Sequence, residues 1–293
     1  MYDHVLIGVD GSEEAERAAR RGLDLAETVD ASVTVVHVLS RKTLDRARGE
    51  VETEQLRDRA AAVLDAVESI AAERGQSVET EIREGSPAAA LCEYAAEADA
   101  DLLVLGRQGL TGIGRRLLGG VTERVLNRGA VPALVVPDEA TGDGYDRLLV
   151  PTDGSENAAA AYPHAGAVAT AYGAAVDVLN VVDLQDAAGA FHAGGLEASF
   201  VERLEAEGEA AVADAAAELA EHAPGVAVRT AVERTADLDG AAAGIRAYVA
   251  EQDVDLVAIG SRGRSDFKRA LLGSVASKVL RSVDVPVLVA AQE

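Results

Sequence analysis

The chain has 293 residues, with 50 Asp and Glu against 27 Lys and Arg, giving a formal net charge of -23. That length suits two domains, a hydrophobic share of 48% is too high for a disordered acidic tail, and the charge argues against a nucleic-acid binder, whose target phosphates would be repelled. The single cysteine, Cys92, excludes an internal disulfide framework and a thiolate metal cluster.

The first strand is expected at residues 5–9, directly after Met1-Tyr2-Asp3-His4. No basic leader or apolar stretch of signal length precedes it. Nor does any segment reach the roughly 18–20 apolar residues of a membrane helix. The cytoplasm is therefore the expected location, with no membrane partner. Asp10-Gly11-Ser12 follows, and Ser12 ahead of Glu13 and Glu14 reads as a helix N-cap with acids at the positive end of the dipole. Further strands are expected at 33–39, 78–82, 102–105 and 131–136, with Ala-rich helical stretches between them. Ser86-Pro87 places a capping hydroxyl before a proline at the first helical position. Most of the strand runs are continuously apolar, as in a parallel sheet buried on both faces. With six Tyr, three Phe and no Trp, the core must be mainly Val, Leu, Ile and Ala.

The pattern then repeats. Val9-Asp10-Gly11-Ser12 returns as Thr152-Asp153-Gly154-Ser155, and the stretch from Val33 to Val38 returns as the stretch from Val176 to Val181. Gly106-Arg107-Gln108-Gly109 returns as Gly260-Ser261-Arg262-Gly263. The copies span 1–138 and 146–293, joined by Thr141-Gly142-Asp143-Gly144, which has linker composition. Strand–helix–strand units with right-handed crossovers imply an α/β fold: two doubly wound, Rossmann-like domains, each with a five-stranded parallel sheet.

The chemistry is expected at the glycine loop after each fourth strand. In the second copy Gly260-Ser261-Arg262-Gly263 is followed after nine residues by Gly273-Ser274-Val275; in the first, Gly106-Arg107-Gln108-Gly109 is followed by Gly119-Gly120-Val121. Gly260 and Gly263 let the backbone approach a ligand with no Cβ in the way. The helix opening at Gly273-Ser274 offers backbone N–H groups without intrahelical partners, a favourable place for a phosphate. No G-x-x-x-x-G-K-[ST] occurs, so this is not a P-loop. Gly112-Ile113-Gly114 lacks the third glycine of the dinucleotide fingerprint, since position 117 is Leu. Residues 106–128 hold five basic side chains (Arg107, Arg115, Arg116, Arg124, Arg128) and one acid, Glu123. Residues 260–282 hold six (Arg262, Arg264, Lys268, Arg269, Lys278, Arg281) and one acid, Asp266, a local reversal of sign in an acidic chain.

G-x-x-G, nine residues, then G-[ST], paired with an N-terminal strand ending in Asp, resembles the universal stress protein family in its ATP-binding branch. The likeness covers nearly the whole chain twice, as in a tandem two-domain member. It implies a strand order of 3-2-1-4-5 in each domain and adenine nucleotide between strands 1 and 4. Carried over, Asp153 and the backbone of Val181 would meet adenine and ribose, and Gly260, Gly263, Gly273, Ser274 and Val275 would hold ribose and phosphates, with Arg262 beside them. The first-copy counterparts are Asp10, Val38, Gly106, Gly109, Gly119, Gly120 and Val121. Position 120 is Gly where the family pattern has Ser or Thr, which removes a phosphate-binding hydroxyl and a helix cap and implies a weaker or empty first site. The resemblance also implies pairing through the fifth strands, here 131–136 with 285–289, as an intrachain pseudo-dimer, with a homodimer left open.

Each residue has a plainer reading beside this one. Ser274 reads as an N-cap or a phosphate ligand, and Asp10 and Asp153 read as nucleotide contacts or as Asx-turn residues at strand ends. His37 reads as a satisfied half-buried side chain, and Cys92 as core. His164, His192 and His222 have no metal-ligand spacing. Residues 183–200 read as a lid or as irregular chain. The expected function is an ATP-, ADP- or AMP-binding stress sensor or regulator. No paired acid and base stands near the loop, so slow ATP hydrolysis is the most enzymatic activity expected. The alternatives are a slow ATPase or phosphotransferase with Asp153 helping hold Mg²⁺, and a nucleotide-free interaction scaffold. Only three of the basic residues are lysines (Lys42, Lys268, Lys278), which suits adaptation to high salt; an ordinary acidic cytosolic protein is the plainer alternative.

Overall fold

Strand β1 (His4–Val9) carries the sequence HVLIGV, buried from its second residue onward, and ends at Asp10. A turn follows in which Gly11 takes φ +84°, a conformation that glycine adopts without a Cβ penalty. Ser12 then caps α1 (Glu13–Val29), its side chain accepting from the Ala15 N–H at 3.1 Å, with Glu13, Glu14 and Glu16 in the first turn. The remaining elements of this half are β2 (Ser32–Ser40), α2 (Arg41–Leu44), α3 (Glu50–Glu73), β3 (Glu79–Gly85), α4 (Pro87–Glu97), β4 (Leu102–Gly106), α5 (Gly120–Arg128) and β5 (Ala133–Val136). The computed structural model describes residues 1–110, 117–129, 131–138, 144–185, 198–263 and 272–290.

The chain divides into two units, Met1–Gly144 and Tyr145–Glu293. In the first, the five strands are parallel in the order β3-β2-β1-β4-β5. The second holds β6 (Arg147–Pro151), α6 (Glu156–Ala159), α7 (Tyr162–Tyr172), β7 (Ala175–Asp183), α8 (Ala198–His222), β8 (Val228–Thr235), α9 (Ala241–Glu251), β9 (Leu256–Gly260), α10 (Ser274–Ser282) and β10 (Val287–Ala290). Its strands follow the same order, β8-β7-β6-β9-β10, all parallel. The α/β class and five-stranded parallel sheets expected from the sequence are therefore observed. The repeat extends to the strand starts. Asp101 accepts the backbone N–H groups of Asp3 (2.7 Å) and His4 (2.9 Å), and Asp255 those of Asp146 (2.8 Å) and Arg147 (2.9 Å).

Central strands bury both faces. Leu6, Ile7, Leu102, Leu103, Leu148 and Leu149 are wholly inaccessible, and each such side chain contributes about 1.5–3 kcal/mol relative to exposure. Edge strands behave differently: β3 and β8 are half-exposed along most of their length. β3 also runs three residues past its expected end, because Arg83, Glu84 and Gly85 stay in register with Val38, Leu39 and Ser40. Cys92 is buried in an apolar cluster with Leu6, Leu91 and Leu105, as its helix face implied. Ser86 does precede the helix with extended backbone, but its side chain makes no capping bond, so Pro87 alone marks that start. Among the described residues, no helix is long and apolar enough to cross a membrane.

Candidate functional site

In each sheet the chain leaves the first strand toward one neighbour and later returns on its other side. This makes a crevice at the carboxyl ends of β1 and β4, and of β6 and β9. In the second unit that crevice opens into a cavity of about 310 Å³. Asp153, Val181, Gly260, Arg262, Gly263, Gly273, Ser274 and Val275 all line it, so the eight positions singled out in the second copy meet in one place. Its apolar wall is made by Leu179, Ile245 and Ile259.

Local bonding fixes the polar edge. Asp153 Oδ1 accepts from the Ser155 N–H at 3.0 Å and the Ser155 hydroxyl at 2.5 Å, the Asx turn that was the plainer of its two readings. Its Oδ2 faces Gly263, where a Cβ would lie 3.0 Å away. Gly260 is more confined: a Cβ there would run into the carbonyl of Asn157. Thr152 is buried and its hydroxyl meets Tyr162 Oη at 2.7 Å. Burial raises the Tyr162 pKa, which keeps the phenol neutral.

The entry to α10 differs from one expectation. Gly273, not Ser274, is the N-cap; Ser274 is the first helical residue and is exposed. The Gly273 N–H is bound by the Ser261 carbonyl at 2.8 Å, and the first helical bond runs from Ser277 N–H to Gly273 O. The N–H groups of Ser274, Val275 and Ala276 therefore have no intrahelical acceptor and stand at the positive end of the helix beside the cavity. In the first unit Gly119 is likewise the N-cap of α5. A hydroxyl at position 120 would thus not stand at the cap, and no cap is lost through Gly120.

The first-unit residues are arranged otherwise. Asp10 Oδ1 accepts the Ser12 N–H at 3.0 Å, and its Oδ2 accepts the Leu110 N–H at 2.9 Å. Gly109 lies so close to Asp10 Oδ2 that a Cβ would collide with it, and a Cβ on Gly119 would stand 3.0 Å from the Arg107 carbonyl. At Gly106 a Cβ would lie 3.0 Å from the Gln108 carbonyl. Val38 and Val121 pack against the cluster around Leu91 and Leu105. Arg107 is 2% exposed, so it presents no solvent-facing charge at the loop. Arg115, Arg116, Arg264, Asp266, Lys268, Arg269 and most of the 183–200 segment lie outside the described residues. Lys278 donates to the Asp239 carbonyl at 3.2 Å.

Asn180, Ala241 and Ile245 also line the cavity and were not singled out in the sequence. Asn180 Nδ2 donates to the Thr152 carbonyl at 2.8 Å, and in the first unit His37 Nδ1 meets the Val9 carbonyl at 3.0 Å. Because a carbonyl only accepts, His37 carries its proton on Nδ1 there. Burial lowers the His37 pKa, with the Val9 bond and Asp10 opposing. A polar residue within the apolar run of β7 was the available signal for Asn180. Ala241 and Ile245 on α9 gave none, because an apolar helix face reads equally as core.

Fold and site together define a tandem α/β protein with a ligand-sized cleft at a topological switch point. The sequence model of the Universal stress protein family matches residues 1–137 and again 144–291, and the chain belongs to that family. A universal stress protein of Mycolicibacterium smegmatis is 30% identical over 296 residues, covering 97% of this chain and 96% of that protein. One from Methanocaldococcus jannaschii is 34% identical over 140 residues, covering 46% of this chain and 82% of its own. The crystal structure of a universal stress protein from Archaeoglobus fulgidus aligns over 100% of both chains with a TM-score of 0.73 at 21% identity, a likeness of fold.

Proposed function

We propose that the second domain binds an adenine nucleotide, ATP, ADP or AMP, and that the protein acts as a nucleotide-responsive sensor or regulator in a stress response. The observation that carries this is the convergence of Asp153, Val181, Gly260, Gly263, Ser274 and Val275 on one cavity of about 310 Å³. That volume falls within the range of small-molecule sites. Leu179, Ile245 and Ile259 offer apolar surface for a base. The Asp153 carboxylate would suit a ribose or base donor, and the N–H groups of Ser274, Val275 and Ala276 would suit a phosphate. At about 1 M salt the Debye length is roughly 3 Å, so these direct contacts, rather than distant arginines, would supply affinity.

The test is to denature protein purified without added ligand and to identify any released nucleotide by chromatography and mass. An adenine nucleotide is the expected product. Absence of any nucleotide, together with no uptake from millimolar ATP, would overturn the reading in favour of a scaffold. Metal-dependent ADP release, lost in Asp153→Ala, would mark a slow phosphotransferase with Mg²⁺ on the phosphates.

A further inference from the structure

Glu14 and Asn157 stand at the same place in the two copies, each four residues after the strand-end aspartate, and they differ in charge. Glu14 Oε2 accepts the backbone N–H of Gln108, within the first glycine loop, at 3.1 Å. Asn157 instead donates its side-chain amide to the Gly263 carbonyl at 3.3 Å. Among the described residues, none accepts the backbone N–H of Arg262 or Gly263. The loops differ at the next position too. Gln108 Nε2 donates to the Leu117 carbonyl at 2.7 Å, spanning the loop, whereas Arg262 lines the cavity of the second unit. Asp10 Oδ2 takes a further loop amide, that of Leu110, at 2.9 Å. The first loop thus spends two backbone donors on carboxylates of its own chain.

An anion approaching that loop would have to displace the Gln108 N–H bond and would meet the Glu14 carboxylate, where the second copy has the neutral Asn157. Like charges at such short range disfavour binding strongly, and specificity is often built from an unfavourable element of this kind. We propose that Glu14 and Gln108 close the first domain to phosphate-bearing ligands, so that the chain takes one adenine nucleotide, in its second domain. This rests on the proposed nucleotide function. It assigns the asymmetry to Glu14 and Gln108 rather than to the glycine at position 120.

Saturating equilibrium dialysis with radiolabelled ATP tests it on the full chain. One nucleotide per wild-type chain is expected, rising to two in Glu14→Asn/Gln108→Arg and falling to none in the reciprocal Asn157→Glu/Arg262→Gln. Glu14→Gln, which removes the charge and keeps an acceptor oxygen, is the check against misfolding; with an unchanged melting temperature it should raise occupancy above one. Two nucleotides per wild-type chain, or undiminished binding in the reciprocal variant, would overturn the proposal. So would occupancy held at one in both folded first-domain variants. A wild-type count of zero overturns the nucleotide reading itself and is distinguishable from these.

Discussion

Asn180 Nδ2 donates to the carbonyl of Thr152 at 2.8 Å, tying β7 to the residue immediately before Asp153. One side-chain bond thus links two lining residues from neighbouring strands at the point where the strands end. Asn180→Ala removes the donor and leaves the carbonyl of buried Thr152 unpaired, a change that typically costs about 1–3 kcal/mol. The expected outcome is a lower melting temperature together with weaker nucleotide uptake in the second domain. Asn180→His places there the residue that makes the corresponding bond in the first unit, and should recover much of both. If Asn180→Ala binds nucleotide as the wild type does, the bond has no part in shaping the site.

The two loop-entry glycines should respond unequally to a methyl group. At Gly260 a Cβ would strike the Asn157 carbonyl and stand 2.9 Å from its carbon and 3.1 Å from the Ala158 Cα, all backbone atoms that cannot rotate away. At Gly106 the nearest atoms lie 3.0 Å and 3.3 Å away, tight but open to small shifts. Overpacking of this kind typically costs about 1–3 kcal/mol. Gly260→Ala is therefore expected to unfold at lower denaturant than Gly106→Ala, with Gly260→Ala also losing nucleotide. Chemical denaturation of the two variants side by side checks the order, and the reverse order would refute it.

These residues also show what the sequence could and could not convey. The glycine spacing was legible because neighbouring backbone at 260 admits no Cβ and Asp153 leaves little room for one at 263, and strand periodicity placed the loop at a strand end. Apolar runs located the central strands, but β3 and β8 are polar edges whose extent depends on pairing with β2 and β7. Ser274 read equally as cap or ligand until its backbone showed it to be already inside the helix. Glu14 looked like a residue suited to a helix dipole; its bond to Gln108, 94 residues away, is a tertiary fact. Long-range hydrogen bonds of that kind leave no local pattern.

His164, on α7, should give a pH-dependent stability. Burial drives its imidazole from 6.5 down to about 4. The folded chain keeps the ring neutral to that point, while the unfolded chain takes up a proton from about 6.5 downward. Stability is therefore lost as pH falls from about 6.5 to about 4, on the order of 3 kcal/mol across the window, and this group adds no further loss below it. Carboxylates titrate over the lower part of the same range, so the informative quantity is a difference. The slope of unfolding free energy against pH should be shallower in His164→Gln than in the wild type between 6.5 and 4. Equal slopes would remove His164 as the cause.

Two electrostatic effects compete when salt is added, and their sizes decide the outcome. Screening weakens exposed ion pairs such as Arg20–Glu16 (2.8 Å) and Arg57–Glu84 (3.2 Å), each worth roughly 0–1 kcal/mol. Screening also relieves the self-repulsion of a chain with formal net charge -23, which acts on the whole fold. The Debye length shrinks from about 10 Å at 0.1 M to about 3 Å at 1 M, so repulsion between neighbouring carboxylates fades across this range. Repulsion is shared among many more charges than the pairs are, so the melting temperature should rise steadily from low to molar KCl. Sucrose at matched osmolarity separates charge screening from general exclusion effects and should raise it less. A melting temperature that is flat or falling in KCl would mean that the acidic surface carries no adaptation to salt.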